Sequence, residues 1–132
     1  MKVLVVDDKD DARVMLVTLI EMLGYDVRGA STGKEALEIA AAFRPELAIC
    51  DIGLPDISGY ELVEPLRANM SRTAVVYALS GYTQSADRAL AKTAGFDAMH
   101  AKPLDPEELA TILSALQNRM AAFETSPSAS SS

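Results

Sequence analysis

At 132 residues the chain has room for one domain, and at that size folding buries roughly two-thirds of the unfolded surface. Apolar residues make up 49%, which suits a packed core, and a net charge of −7 without a Lys/Arg cluster argues against holding nucleic acid by its phosphates. No basic amphipathic segment suits a membrane surface, no apolar run approaches the roughly 18 residues that span a bilayer, and the opening MKVLVVDD has too few apolar residues for a signal peptide, so a soluble cytoplasmic protein is expected.

In chain order, Val3–Val6 is a short apolar run of the kind that forms a strand covered on both faces. Ala12, Met15, Leu16, Leu19, Ile20 and Leu23 then recur at helical spacing and stop at Gly24, a natural residue to follow a helix. Tyr25–Arg28 reads as a second strand, and Thr32 followed by Glu35 resembles a capping box that opens a second helix. Leu47–Cys50 is the third strand; Cys50, the single cysteine, has no disulfide partner and reads as a small buried hydrophobe.

Ser58 with Glu61 opens the next helix, in which Pro65 removes an interior hydrogen bond and predicts a kink or split. Ala74–Leu79 is a fourth strand, followed by a helix over Gln84–Ala94 that should end at Gly95. A weaker run, Ala98–Ala101, is the fifth. Asp105-Pro106 with Glu108 starts a last helix, with Leu109, Ile112, Leu113 and Leu116 on one face, that fades near Phe123. Residues 1–123 are thus expected to form one domain, and the Ser-rich residues 124–132 a disordered tail. Five β–α units in succession predict an open α/β sheet with right-handed crossovers and helices on both faces.

In such sheets ligands bind beyond the carboxyl ends of the strands. Asp7 and Asp8 follow the first strand, Asp51 the third, Ser80 the fourth and Lys102 the fifth. Clustered carboxylates repel one another unless a cation offsets them, and Mg²⁺, held by a few carboxylates and waters, is the expected one. Such a site can neutralise a transferring phosphoryl group, with Lys102 and Ser80 adding a positive charge and a hydroxyl donor. Asp51 would be the nucleophile. Other chemistries lack their motifs: there is no G-x-G-x-x-G after the first strand, no P-loop and no G-x-S-x-G, and the sole histidine, His100, has no zinc-ligating companion.

The segments VLVVDD, CDIGLPDISGYEL, ALSGY and GFDAMHAKPLD together resemble the receiver domain of two-component response regulators, over about residues 2–120, and in wording most closely the receivers of hybrid histidine kinases. The resemblance implies a doubly wound five-stranded parallel sheet of flavodoxin-like order 2-1-3-4-5. It implies Asp51 as phospho-acceptor, with Asp7, Asp8 and the Gly53 backbone carbonyl around Mg²⁺. It further implies Ser80 and Lys102 contacting the phosphoryl group, and a cis peptide at Lys102–Pro103. Receivers usually carry Tyr or Phe three residues before the lysine as a switch that moves with the Ser/Thr; here Met99 stands at that position, with Ser80 as the other switch residue. Gly53 and Tyr82 occupy positions that tune phosphate loss, and the bare Gly53 points to slow self-dephosphorylation.

The function expected from this is a signalling switch in a phosphorelay and not an enzyme acting on outside substrates. Asp51 would take a phosphoryl group from a phosphohistidine of a histidine kinase or phosphotransfer protein. That would alter a surface over residues 84–118 that docks a downstream protein. The alternative is a docking module of the same fold that works without phosphorylation. A haloacid-dehalogenase-type phosphatase would need a carboxylate two residues after Asp51, where Gly53 stands.

Overall fold

The computed structural model describes residues 1–81 and 85–125, the side chains of 85, 86 and 122–125 excepted. Five strands alternate with five helices: β1 Lys2–Val6, α1 Asp10–Met22, β2 Asp26–Ala30, α2 Gly33–Phe43, β3 Leu47–Asp51, α3 Gly59–Ala68, β4 Val75–Ser80, α4 Ser85–Ala94, β5 Ala98–Ala101 and α5 Pro106–Thr125. All four strand pairings are parallel, and the sheet order is β2-β1-β3-β4-β5. This is the expected doubly wound topology.

Because strand side chains alternate between faces, each strand feeds two cores. Leu4, Val6, Ala48, Cys50, Val76, Ala78 and Met99 face α2, α3 and α4, where Ala36, Ala40, Leu62, Val63, Leu66 and Ala91 meet them. Val3, Val5, Leu47, Ile49, Val75 and Leu79 face the other way, against Leu16 and Ile20 of α1 and Leu109, Leu113 and Leu116 of α5. Each of the fully buried leucines contributes about 1.5–3 kcal/mol by leaving water.

Helix ends follow from local chemistry. Thr32 accepts the Glu35 amide at 3.1 Å, as its capping role requires, whereas the Glu35 carboxylate reaches one residue further back, to the Ser31 amide at 2.7 Å. Ser58 accepts from Tyr60 at 3.2 Å. Gly24 and Gly95, which close α1 and α4, have φ of +95° and +116°, conformations costly for any residue with a Cβ.

Three expectations need correcting. β2 lies at Asp26–Ala30 and not at Tyr25–Arg28, because its register is fixed by pairing with β1. Met15 and Leu23, counted on the core face of α1, are 52% and 46% exposed, and only Leu16 and Ile20 of that helix are buried. α3 is not split: Pro65 lies inside one continuous helix. Gln84, Tyr82 and residues 126–132 of the expected tail lie outside the described residues, and α5 runs to Thr125, past the expected boundary at 123. No helix among the described residues is long and apolar enough to cross a membrane.

Candidate phosphoryl-acceptor site

The carboxyl ends of β1 and β3 stand side by side, since Val6 pairs with Cys50. The next residue on each strand is therefore an aspartate at the rim, and Asp7 and Asp51 are both buried, at 0% and 6% exposure. The Asp7 amide donates to Ala30 and the Ile52 amide to Leu79, so both strand ends remain stitched to their neighbours as the chain leaves the sheet. Across β4, Ser80 pairs with Ala101, and the Lys102 amide donates to the Ser80 carbonyl at 2.9 Å. This brings Lys102 to the same rim.

Lys102 Nζ lies 3.2 Å from Asp7 Oδ2 and 3.2 Å from Asp51 Oδ2. Burial is the strongest single influence on this ammonium and disfavours its charge, but the Asp51 and Asp7 carboxylates together outweigh burial and hold it above its ordinary value. The Lys102–Pro103 peptide is cis, as the resemblance implied.

Asp7, Asp8 and Asp51 each offer an oxygen within 4.8 Å of the others. Oxygens sharing one hard cation lie at most about 4.2 Å apart around Mg²⁺ and about 5 Å around Ca²⁺, so the cluster has the size of a single divalent site, closing slightly for Mg²⁺. A further observation favours that fit: Asp8 Oδ1 is buried without a hydrogen-bond partner, and Asp7 Oδ2 is met by the Lys102 ammonium. Three carboxylates also outnumber the one lysine that touches two of them. The Gly53 amide donates to Asp51 Oδ1 at 3.2 Å, which draws that glycine up to the acidic cluster.

The other residues singled out in the sequence fall into place around this core. Ser80 ends β4, and Met99, 5% exposed, points from β5 into the core below α3 and α4, its carbonyl accepting from Arg88 of α4 at 3.0 Å. Cys50 is buried beside the site; burial first, and the Asp51 charge second, push its thiol up to about 12, so it is inert at neutral pH. His100 sits on β5 edge-on to Tyr77 with ring centroids 5.0 Å apart and takes no part in the cluster.

Two residues that sequence reasoning missed shape the rim. Arg13 donates to the Asp7 carbonyl at 2.9 Å and pairs with Asp10 at 2.6 Å, bracing the loop that carries the acidic pair. The i,i+3 spacing of Asp10 and Arg13 was the available signal for the pair, though not for the carbonyl bond. Asp56 accepts from the Gly33 and Lys34 amides at 2.9 Å each, and no local pattern could reveal a partner 22 residues away.

With the geometry in place, comparison with known proteins is direct. The family model for the response regulator receiver domain matches residues 3–114. The chain is 40% identical over 123 residues to the transcriptional regulatory protein KdpE of Mycobacterium tuberculosis, covering 92% of this chain and 54% of that protein; it thus spans about half the length of that relative. Among solved structures, the chemotaxis protein CheY4 of Vibrio cholerae superposes with a TM-score of 0.80 at 31% identity, over 86% of this chain and 96% of that one. A Burkholderia pseudomallei response regulator with a phosphorylated aspartic acid, calcium ion and citrate gives a TM-score of 0.77 at 31% identity, over 99% of this chain and 75% of that one. The chain belongs to the response regulator receiver domains of two-component systems, whose general function is phosphorylation-based signalling.

Proposed function

We propose that Asp51 is the phospho-acceptor, loaded from a phosphohistidine of a histidine kinase or phosphotransfer protein. The observation that carries this reading is the convergence of Asp51 with Asp7, Asp8 and Lys102 at one rim of the sheet. The Burkholderia relative, solved with both a phosphorylated aspartic acid and a cation, supports it by analogy.

Asp7, Asp8, Asp51 and the Gly53 carbonyl would hold Mg²⁺, which when bound supplies positive charge against the phosphoryl oxygens. A carboxylate oxygen of Asp51 attacks phosphorus, the bond from phosphorus to the donor imidazole nitrogen breaks, and the imidazole leaves with its electron pair and takes a proton. Lys102 then shifts from bridging two carboxylates to pairing with the phosphoryl group, and the Ser80 hydroxyl donates to one of its oxygens. Gly53 offers no side chain to steer an attacking water, which favours a long-lived acyl phosphate.

The output follows from charge. Phosphorylation adds about −1.5 to −2 at a rim already crowded with carboxylates. Motion of Ser80 and repacking of Met99 would carry the change to the surface over 84–118, which docks a downstream protein. Methionine repacks readily where the family's usual aromatic residue swings as a rigid ring. We assign the folded receiver to the chain through Thr125, where α5 ends, the tail to the residues after it, and the protein to the cytoplasm, without direct contact to nucleic acid or membrane.

The test is intact-mass spectrometry after incubation with acetyl phosphate, with and without Mg²⁺, on wild type and Asp51→Asn. A gain of one phosphoryl group that needs both Mg²⁺ and Asp51 is expected. No gain under any condition, with a cognate kinase included, would instead favour docking without phosphorylation.

A further inference from the structure

The loop between β3 and α3 carries Gly53 and has little packing of its own at that point: a Cβ added at Gly53 would meet nothing within 4 Å. Its position is set by anchors on either side. On the far side the Gly59 amide donates to Ile52 at 2.9 Å, and Gly59 lies so close to the strand that an added Cβ would sit 2.7 Å from the Ile52 Cα. Midway, Asp56 reaches out of the loop to the first turn of α2. One carboxylate oxygen accepts from Gly33 and the other from Lys34, each at 2.9 Å.

Gly33 is buried against the neighbouring loop residue, and a Cβ there would run into the Ile57 side chain. The loop is thus both hydrogen-bonded and seated on α2. The first turn of a helix leaves its amides without intrahelical partners. Here Thr32 serves the Glu35 amide and Asp56 serves the two before it, so α2 is capped partly by its own N-cap and partly by the loop of the acceptor site. A carboxylate at this end also meets the positive pole of the helix.

We propose that Asp56 is a positioning residue for the acceptor site: by docking the β3–α3 loop on the N-terminus of α2, it holds the Gly53 carbonyl where a divalent cation bound to the aspartate cluster can use it. The inference rests on the reading of that cluster as a Mg²⁺ site. It makes α2 a support of the site although α2 contributes no ligand. When Asp56 lets go, residues 53–57 gain conformational freedom that cation binding must remove again, and affinity falls.

The test is titration of the full chain with Mn²⁺, followed by electron paramagnetic resonance of the free ion, together with Mg²⁺ titration by calorimetry, both without phosphodonor. Asp56→Ala is expected to weaken binding about three- to tenfold, and Asp56→Asn, whose carbonyl can still accept one amide, to restore part of it. Thr32→Ala is the control, since it removes the other cap of α2 without touching the loop. It should lower the melting temperature and leave cation affinity unchanged.

Unaltered affinity in Asp56→Ala, or an equal loss in Thr32→Ala, would reduce Asp56 to a helix cap and overturn the proposal. Wild-type protein that bound neither cation would remove the metal reading of the site, and this inference with it.

Discussion

Two titratable groups at the end of β5, His100 and Lys102, have opposite fates because their neighbours differ. Lys102 gains two carboxylates and stays charged; His100, two residues earlier, faces Tyr77 and the first turn of α5. Its Nδ1 is 3.8 Å from Glu108 Oε2, and its Nε2 is buried without a partner. Burial lowers its affinity for a proton, Glu108 opposes that, and Arg88 adds to it, with a net shift below the ordinary value of 6.5. The unfolded chain therefore takes up this proton at higher pH than the folded one. The His100 contribution is fully present above the unfolded value, shrinks as pH falls from there to the folded value, and is level below. Urea unfolding of wild type and His100→Gln between about pH 5 and 8 should show a slope in the wild type that the variant lacks. Tyr77 and Arg88 are unchanged in the variant, so the difference isolates the imidazole.

At the level of elements, Pro65 is a place where local chemistry and tertiary packing disagree. Its ring has no N–H for the helix ladder, yet α3 runs unbroken from Gly59 to Ala68 because Leu62, Val63 and Leu66 are buried on one face. The Pro65 carbonyl also accepts from the Asn69 side chain at 3.2 Å. Pro65→Ala should raise stability by about 1–2 kcal/mol: the regained helix bond outweighs the larger entropy of the unfolded chain. Urea unfolding with an unchanged m-value would establish it; a loss of stability would mean that the ring packs better than the helix bond it replaces.

The same contrast explains what could be read in advance. Strands enclosed on both faces announce themselves as apolar runs, so β1, β3 and β4 were legible within a residue. Edge strand β2, with Asp26 and Arg28 exposed, has no such run and was misplaced. The positions of Asp7, Asp8, Asp51, Ser80 and Lys102 were legible because each lies at or just past the carboxyl end of a strand. Arg13 and Asp56 were not, because their partners are main-chain atoms brought close only by the crossovers.

For the whole molecule, the site is a concentration of negative charge within a chain already at −7. On the proposed reading of the site, Mg²⁺ should therefore stabilise the fold. A ligand bound only by the native state at a hundred times its dissociation constant adds about 2.7 kcal/mol. Thermal unfolding at constant ionic strength should show a transition that rises with Mg²⁺ in the wild type and rises less in Asp51→Asn, where one carboxylate is gone. Equal responses would place the cation elsewhere.

The order of the strands has a consequence for the timing of signalling. Asp7 and Asp51 are synthesised early, but their lysine arrives just after β5, whose place in the sheet depends on β4 already lying beside β3. A chain leaving the ribosome thus carries these carboxylates well before it can present the finished rim. On the proposed reading of the site, competence to take a phosphoryl group would come only once the last strand is in place.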